Sequence, residues 1–213
     1  MKIRRLLVGI VGTNCYVAEN PERGEALVID PGDNAQGILE LLEEDGMKPA
    51  AILLTHGHFD HCGAAETLAS HYLIPVYCGA GDEDLIMDPE QNVSMAFAGR
   101  PIVCGAVTDW VRDGEKLELA GFEIQVLGTP GHTAGGVSYY FPTEKAVFSG
   151  DTLFFESVGR TDMPAGNTLK LIASIRSRLF SLPDDTQVLT GHGQSTSIGY
   201  EKRNNPYLMG QEY

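Results

Sequence analysis

Residues 49–61, PAAILLTHGHFDH, carry an unbroken apolar run straight into three histidines and an aspartate. A short apolar run that ends in polar residues reads as a strand buried on both faces. Such strands belong to sheets covered by helices. In open α/β sheets, ligands gather beyond the carboxyl ends of the strands. The polar cluster therefore falls where chemistry is done, and it takes half of the chain's six histidines. His56 and His58 are two residues apart, so an extended chain aims both the same way. Asp60 and His61 follow as the chain turns into a helix. Imidazole nitrogens and carboxylate oxygens at this density are the donors that zinc, iron and manganese use. Desolvating three imidazoles together without a cation would cost free energy.

Three later strand-like runs end the same way. His132 stands in GTPGHT, Asp151 in FSGDT and His192 in TGHG, each beside glycines that let the backbone turn tightly. Seven donors are too many for one tetrahedral ion. They suit two ions that share a carboxylate and a water, whose pKa the pair lowers. His71, on the helical stretch AAETLASHY, has no partner nearby in sequence and reads as an ordinary helix histidine.

The remaining pattern alternates strands and helices early and shows hairpins in the middle. ALVIDPG, PAAILLTH, IPVYCG, GGVSYYF, KAVFSGD and TQVLTGHG read as strands. The residues after ALVIDPG, with Asn34 as cap and Gly46 as stop, read as a helix. CGAAETLASHY and NTLKLIASIRSRLFSL read as two more. EKLELAGFEIQVLG reads as a hairpin turning at Ala120-Gly121. Residues 89–109, with scattered Gly and Pro, read as loop, a candidate substrate-shaping segment. With 213 residues and 43% apolar composition, the chain is expected to form one domain over residues 1–213. The net charge of -14 argues against nucleic acid and anionic membranes as partners. The N-terminal MKIRRLLVGIVGTNCYV has a basic start but a short, glycine-broken apolar stretch, and reads as a first strand rather than a signal peptide. The four cysteines form no CxxC pair; they read as reduced thiols, and the expected compartment is the cytoplasm.

THGHFDH, GTPGHT, FSGDTLF and TGHG, in that order, resemble the motifs of the metallo-beta-lactamase-fold hydrolases. TNCYV, VIDPG, GRTD and NNPYL make the chain similar to glyoxalase II (hydroxyacylglutathione hydrolase), in its short bacterial form. The resemblance implies an α/β fold, an αββα sandwich of two mixed β-sheets. It implies two divalent metal ions, zinc first, with iron and manganese open to the same donors. It gives His56, His58 and His132 to the first ion and Asp60, His61 and His192 to the second, with Asp151 between them. The implied reaction is hydrolysis of a small-molecule thioester, with Asp60 as catalytic residue. A thiolate, with a pKa near ~8.5, leaves without a strong general acid. Asp30 of DPG is expected to be a turn or supporting residue, and Cys62 a small buried helix residue. Arg160 matches the family's basic glutathione contact, so it is the expected substrate-binding residue, or else a partner for Asp162. Only 21 residues follow His192, too few for the helical domain that supplies much of the glutathione site in longer glyoxalase II. The alternative reading is a mononuclear Fe(II) persulfide dioxygenase of the same fold, using His56, His132 and Asp151.

Overall fold

The computed structural model describes residues 1–209. Alternating side chains explain the unbroken apolar runs. The central strands send successive residues into two different cores, so neither face can be polar. In β2 (Thr13–Asn20), Cys15 and Val17 enter an outer core while Tyr16 and Ala18 enter an inner one. β3 (Glu25–Ile29) splits Val28 from Leu27 and Ile29, and β4 (Lys48–Leu53) splits Ile52 from Ala51 and Leu53, in the same sense.

These strands belong to a six-stranded sheet that runs in sequence order. It starts at β1 (Lys2–Val8) and ends at β5 (Val76–Gly79) and β6 (Asp109–Val111). Its first three strands pair antiparallel and the rest parallel. The second six-stranded sheet contains β7 (Lys116–Leu119), β8 (Phe122–Gly128), β9 (Val137–Phe141), β10 (Ala146–Gly150), β13 (Gln187–Thr190) and β14 (Thr196–Ser197). Here β10 and β13 are parallel and the other pairs antiparallel. A small ribbon, β11 (Leu153–Phe154) with β12 (Ser157–Val158), lies apart.

The inner core joins the two sheets through Tyr16, Leu27 and Leu53 on one side and Ile124, Tyr139, Phe141 and Phe148 on the other. The outer face of the first sheet is covered by α1 (Ala35–Glu44) and α3 (Ala65–Tyr72), through Ile38, Leu42 and Leu68. The outer face of the second sheet is covered by α6 (Thr168–Ser174) and, later, α7 (Ile198–Asn204), through Leu171 and Ile198. This is the expected αββα sandwich of two mixed sheets.

Several local expectations are corrected. The N-terminal stretch is a hairpin of β1 and β2, not one strand; Gly9 and Gly12, at φ 68° and 72°, make the turn. CGAAETLASHY is not one helix. A short α2 (Phe59–Cys62) begins inside the histidine motif, and α3 starts only after Gly63, which packs closely against backbone. A Cβ there would lie 2.4 Å from the Gly32 carbonyl oxygen. The 89–109 segment is not all loop: α5 (Ser94–Ala98) sits within it, and α4 (Glu83–Met87) precedes it. The long C-terminal helix ends in a π-helical turn over Ile175–Leu179. No described helix is long and apolar enough to cross a membrane.

Candidate metal centre

All seven sequence-predicted donors come from the same edge of the sandwich. His56 and His58 follow β4, Asp60 and His61 sit on α2, His132 follows β8, Asp151 follows β10 and His192 follows β13. His58 is still extended, at φ -67° and ψ 148°, and caps α2; the switch to helix lets one heptapeptide aim four side chains inward. The structure brings the donors together as three overlapping groups, each with its ligand atoms within 4.8 Å: His56, His58 and His132; His56, His61 and Asp151; Asp60, His61 and His192. Asp151 thus joins one histidine from each outer group.

The distances suit a shared cation. His58 Nδ1 lies 3.0 Å from His132 Nε2. His192 Nε2 lies 3.3 Å from Asp60 Oδ2 and 3.5 Å from Asp151 Oδ2, and His61 Nε2 lies 3.4 Å from Asp151 Oδ1. Two tetrahedral ligands on one zinc ion stand ~3.3 Å apart. His56 Nε2, His61 Nε2 and Asp151 Oδ1 are buried without a hydrogen-bond partner. Such orphaned donors inside a protein call for an ion. The donor set therefore fits divalent metal.

Outer oxygens fix three of the rings. His132 Nδ1 lies 2.7 Å from the Arg160 carbonyl oxygen, and His56 Nδ1 lies 3.1 Å from Thr55 Oγ1. His61 Nδ1 lies 3.0 Å from Asp30 Oδ2. With Nδ1 turned to these oxygens, each Nε2 faces the centre, the arrangement by which supporting oxygens orient metal-binding histidines. Asp30 is thus a supporting residue as well as a turn residue, at φ 51°. It also accepts from the Thr55 amide and hydroxyl, each at 2.7 Å.

The charges sort accordingly. Burial, helped by neighbouring histidines, pushes His56 well below the usual histidine range, and burial pushes His58 down to about 3. Both are neutral imidazoles with a free lone pair. Burial alone would also lower His61, but Asp60, Asp30 and Asp151 overcome it and raise His61 to about 10. Burial works to raise Asp60, yet His61, His192 and the Thr13 hydroxyl hold it below the carboxylate range. Asp60 is ionised and draws on that positive charge.

Four supporting residues were not recognised from sequence. Thr13 Oγ1 donates to Asp60 Oδ2 at 2.7 Å. Asn14 ties the His192 loop, donating from its side chain to the Thr190 and Gly193 carbonyls and from its amide to Gly191. Thr55 links Asp30 to His56. Asp82, fully buried, accepts from the Gly57 amide, the Thr133 hydroxyl and the Gly135 amide at 2.9, 2.8 and 2.6 Å. It stitches the His56–His58 loop to the His132 loop. TNCYV held the signal for the first two, as polar residues opening an otherwise apolar strand; nothing in GAGDED marked Asp82. His71 meets Tyr72 edge-on and joins none of the donor groups, and the four cysteines are buried free thiols.

A cleft of about 270 Å³ opens beside His58, Asp60, His132, Asp151 and His192. Its other walls are mostly apolar: Val11, Phe59, Val93, Phe97, Phe154 and Met163. Arg160 is at its rim, but Asp162 accepts both of its guanidinium bonds at 3.0 Å, and the contact Arg160 makes with the cluster is its carbonyl.

The model of the metallo-beta-lactamase superfamily matches residues 8–192, and the chain belongs to that superfamily of metal-dependent hydrolases. It is 37% identical over 210 residues to a protein of Haemophilus influenzae described as hydroxyacylglutathione hydrolase GloC, with 98% of each chain covered. Among solved structures it is similar to the BLEG-1 B3 metallo-beta-lactamase, at 39% identity and a TM-score of 0.94 over 98% of this chain and 100% of that one. It is also similar to TTHA1623 in a di-iron-bound form, at 39% identity and a TM-score of 0.85 over 96% and 100%.

Proposed function

We propose that the protein is a thioesterase of glyoxalase II type, releasing thiol and hydroxy acid from S-lactoylglutathione or a related acyl thioester. The observation that carries this reading is the linking of two three-donor groups by a third, His56, His61 and Asp151, beside a cleft open to a small molecule. The likeness to GloC supports the substrate class. His56, His58 and His132 would hold one divalent ion and Asp60, His61 and His192 the other, with Asp151 reaching both. When bound, such ions act as Lewis acids and lower the pKa of water held between them; zinc, iron and manganese all suit these donors.

The chain's own residues do the rest. Asp60, pinned by Thr13, orients the attacking water towards the thioester carbonyl. Thr55, Asp30 and the Arg160 carbonyl keep the donor rings from turning. Phe59, Phe97 and Phe154 line the approach and limit water around the reacting carbon. The departing thiolate, with a pKa near ~8.5, needs no proton from the protein, and the residues lining the cleft include no acid besides the donors. Arg160 has only the N–H groups that Asp162 leaves free to offer a substrate carboxylate. The test is thiol release from S-lactoylglutathione and other thioesters, with ring opening of a β-lactam followed alongside, by metal-loaded wild type, His58→Ala and Asp60→Ala. Thioester cleavage by wild type, lost with metal in both variants, is expected; a variant that keeps full activity and metal overturns the assignment.

A further inference from the structure

A second cleft, of about 400 Å³, adjoins the first and shares Phe59 and Asp60 with it. That volume lies within the usual range for small-molecule sites. Its walls are the tip of the β1–β2 hairpin at Gly9 and Ile10, the Gly32–Asp33 turn, and the segment from Ala98 to Val103. The floor is backbone packed too closely for side chains: a Cβ on Gly32 would lie 1.4 Å from the Asp60 carbonyl oxygen.

Besides Asp60, whose carboxylate is engaged by Thr13 and His192, two charged residues line this cleft, Asp33 and Arg100. Arg100 has no hydrogen-bond or ion-pair partner among the described residues. Asp33 accepts only from the neighbouring Asn34 amide and meets no cation among them. The contrast with Arg160, neutralised by Asp162 in the first cleft, is direct. One free guanidinium and one free carboxylate in a single cleft complement a molecule that offers one carboxylate and one ammonium. They suit a dianionic end poorly, and the chain's net charge of -14 disfavours it further. A zwitterionic end docks without adding net charge.

We propose that the second cleft holds the thiol carrier's α-amino-acid end, its carboxylate on Arg100 and its ammonium on Asp33. The acyl group then lies over Phe59 in the first cleft. This rests on the thioesterase reading and names the carrier's chemistry: a thiol built on an amino acid or short peptide, not a phosphate-bearing one. Arg100 and Asp33 are specificity residues here, remote from the reacting carbon.

The test uses the full chain and S-methylglutathione, a thioether that cannot be hydrolysed, with binding read by calorimetry in metal-free and metal-loaded protein. Arg100→Gln and Asp33→Asn should each weaken binding about tenfold, as loss of one charge-assisted contact does. N-acetylation of the ligand's amine should weaken wild type equally and Asp33→Asn no further. In parallel, the kcat/KM of a glutathione thioester relative to the N-acetylcysteamine thioester of the same acyl group should fall about tenfold in Arg100→Gln. Unchanged binding and an unchanged ratio, in a protein that still cleaves thioesters, overturn the subsite and leave the thioesterase reading standing. Cleavage of no thioester by wild type overturns the thioesterase reading, and normal S-methylglutathione affinity in both variants then overturns the subsite as well.

Discussion

Replacing Asp82 by Asn keeps the shape of the side chain and removes one acceptor. Oδ2 of Asp82 takes both the Gly57 amide and the Thr133 hydroxyl, while Oδ1 takes the Gly135 amide at 2.6 Å. An asparagine keeps two of these bonds by placing its oxygen at the Oδ2 position. Its NH2 group then faces the Gly135 amide, donor against donor, in a fully buried site. A buried unsatisfied N–H costs about 1–3 kcal/mol. Part is returned, because burial raises the Asp82 pKa and the amide carries no charge to desolvate. A net loss of ~1–2 kcal/mol follows, or a urea midpoint lowered by roughly 0.5–1 M. Because Asp82 joins the loops of His56, His58 and His132, metal affinity should also fall about 10–100-fold, as it does when supporting partners are removed. Urea denaturation of the metal-free protein and competition with a chelator measure the two effects. An Asp82→Asn protein with the wild-type midpoint and wild-type metal affinity would refute the reasoning.

Gly191→Ala should fold and lose metal, because the new Cβ would lie 2.1 Å from Asp151 Oδ1 and 2.9 Å from His61 Cε1. Gly193→Ala, two residues on, meets nothing within 4 Å but keeps φ at 72°; it should cost only ~1 kcal/mol and keep its metal, as metal analysis beside thermal melting would show. Tyr16 should destabilise the fold at high pH. Burial pushes its phenol up to about 12, against ~10 in an unfolded chain. The folded value is the higher one, so this contribution is intact below about pH 10 and is lost as pH rises towards 12. Wild type should lose up to ~2–3 kcal/mol more than Tyr16→Phe across that window, measured by denaturant melts; parallel curves would contradict the burial argument.

Much of the site was legible because metal ligands must be His, Asp, Glu or Cys, and because each sits just beyond a strand whose apolar run marks it. His56, Asp151 and His192 needed no knowledge of packing to be noticed. The supporting residues were not legible for the opposite reason. Asp82 and Thr55 matter only through what folding brings beside them, across separations such as Asp82 to Gly135, and acids or threonines in loops are common. Arg160 shows the same limit: its position in the motif was readable, but its engagement with Asp162 depends on local geometry. The fold's layers followed from strands buried on both faces. Its short helices, α4 and α5, did not, because five residues hold too little periodicity to separate a helical turn from a loop.

The most direct test of the central claim is titration of the metal-free protein with a divalent ion while thiol release from S-lactoylglutathione is followed. Two ions bound per chain, with full thioesterase activity reached only as the second site fills, is the predicted result. A chain that saturates with a single iron, consumes oxygen with a persulfide and releases no thiol from any thioester would contradict it.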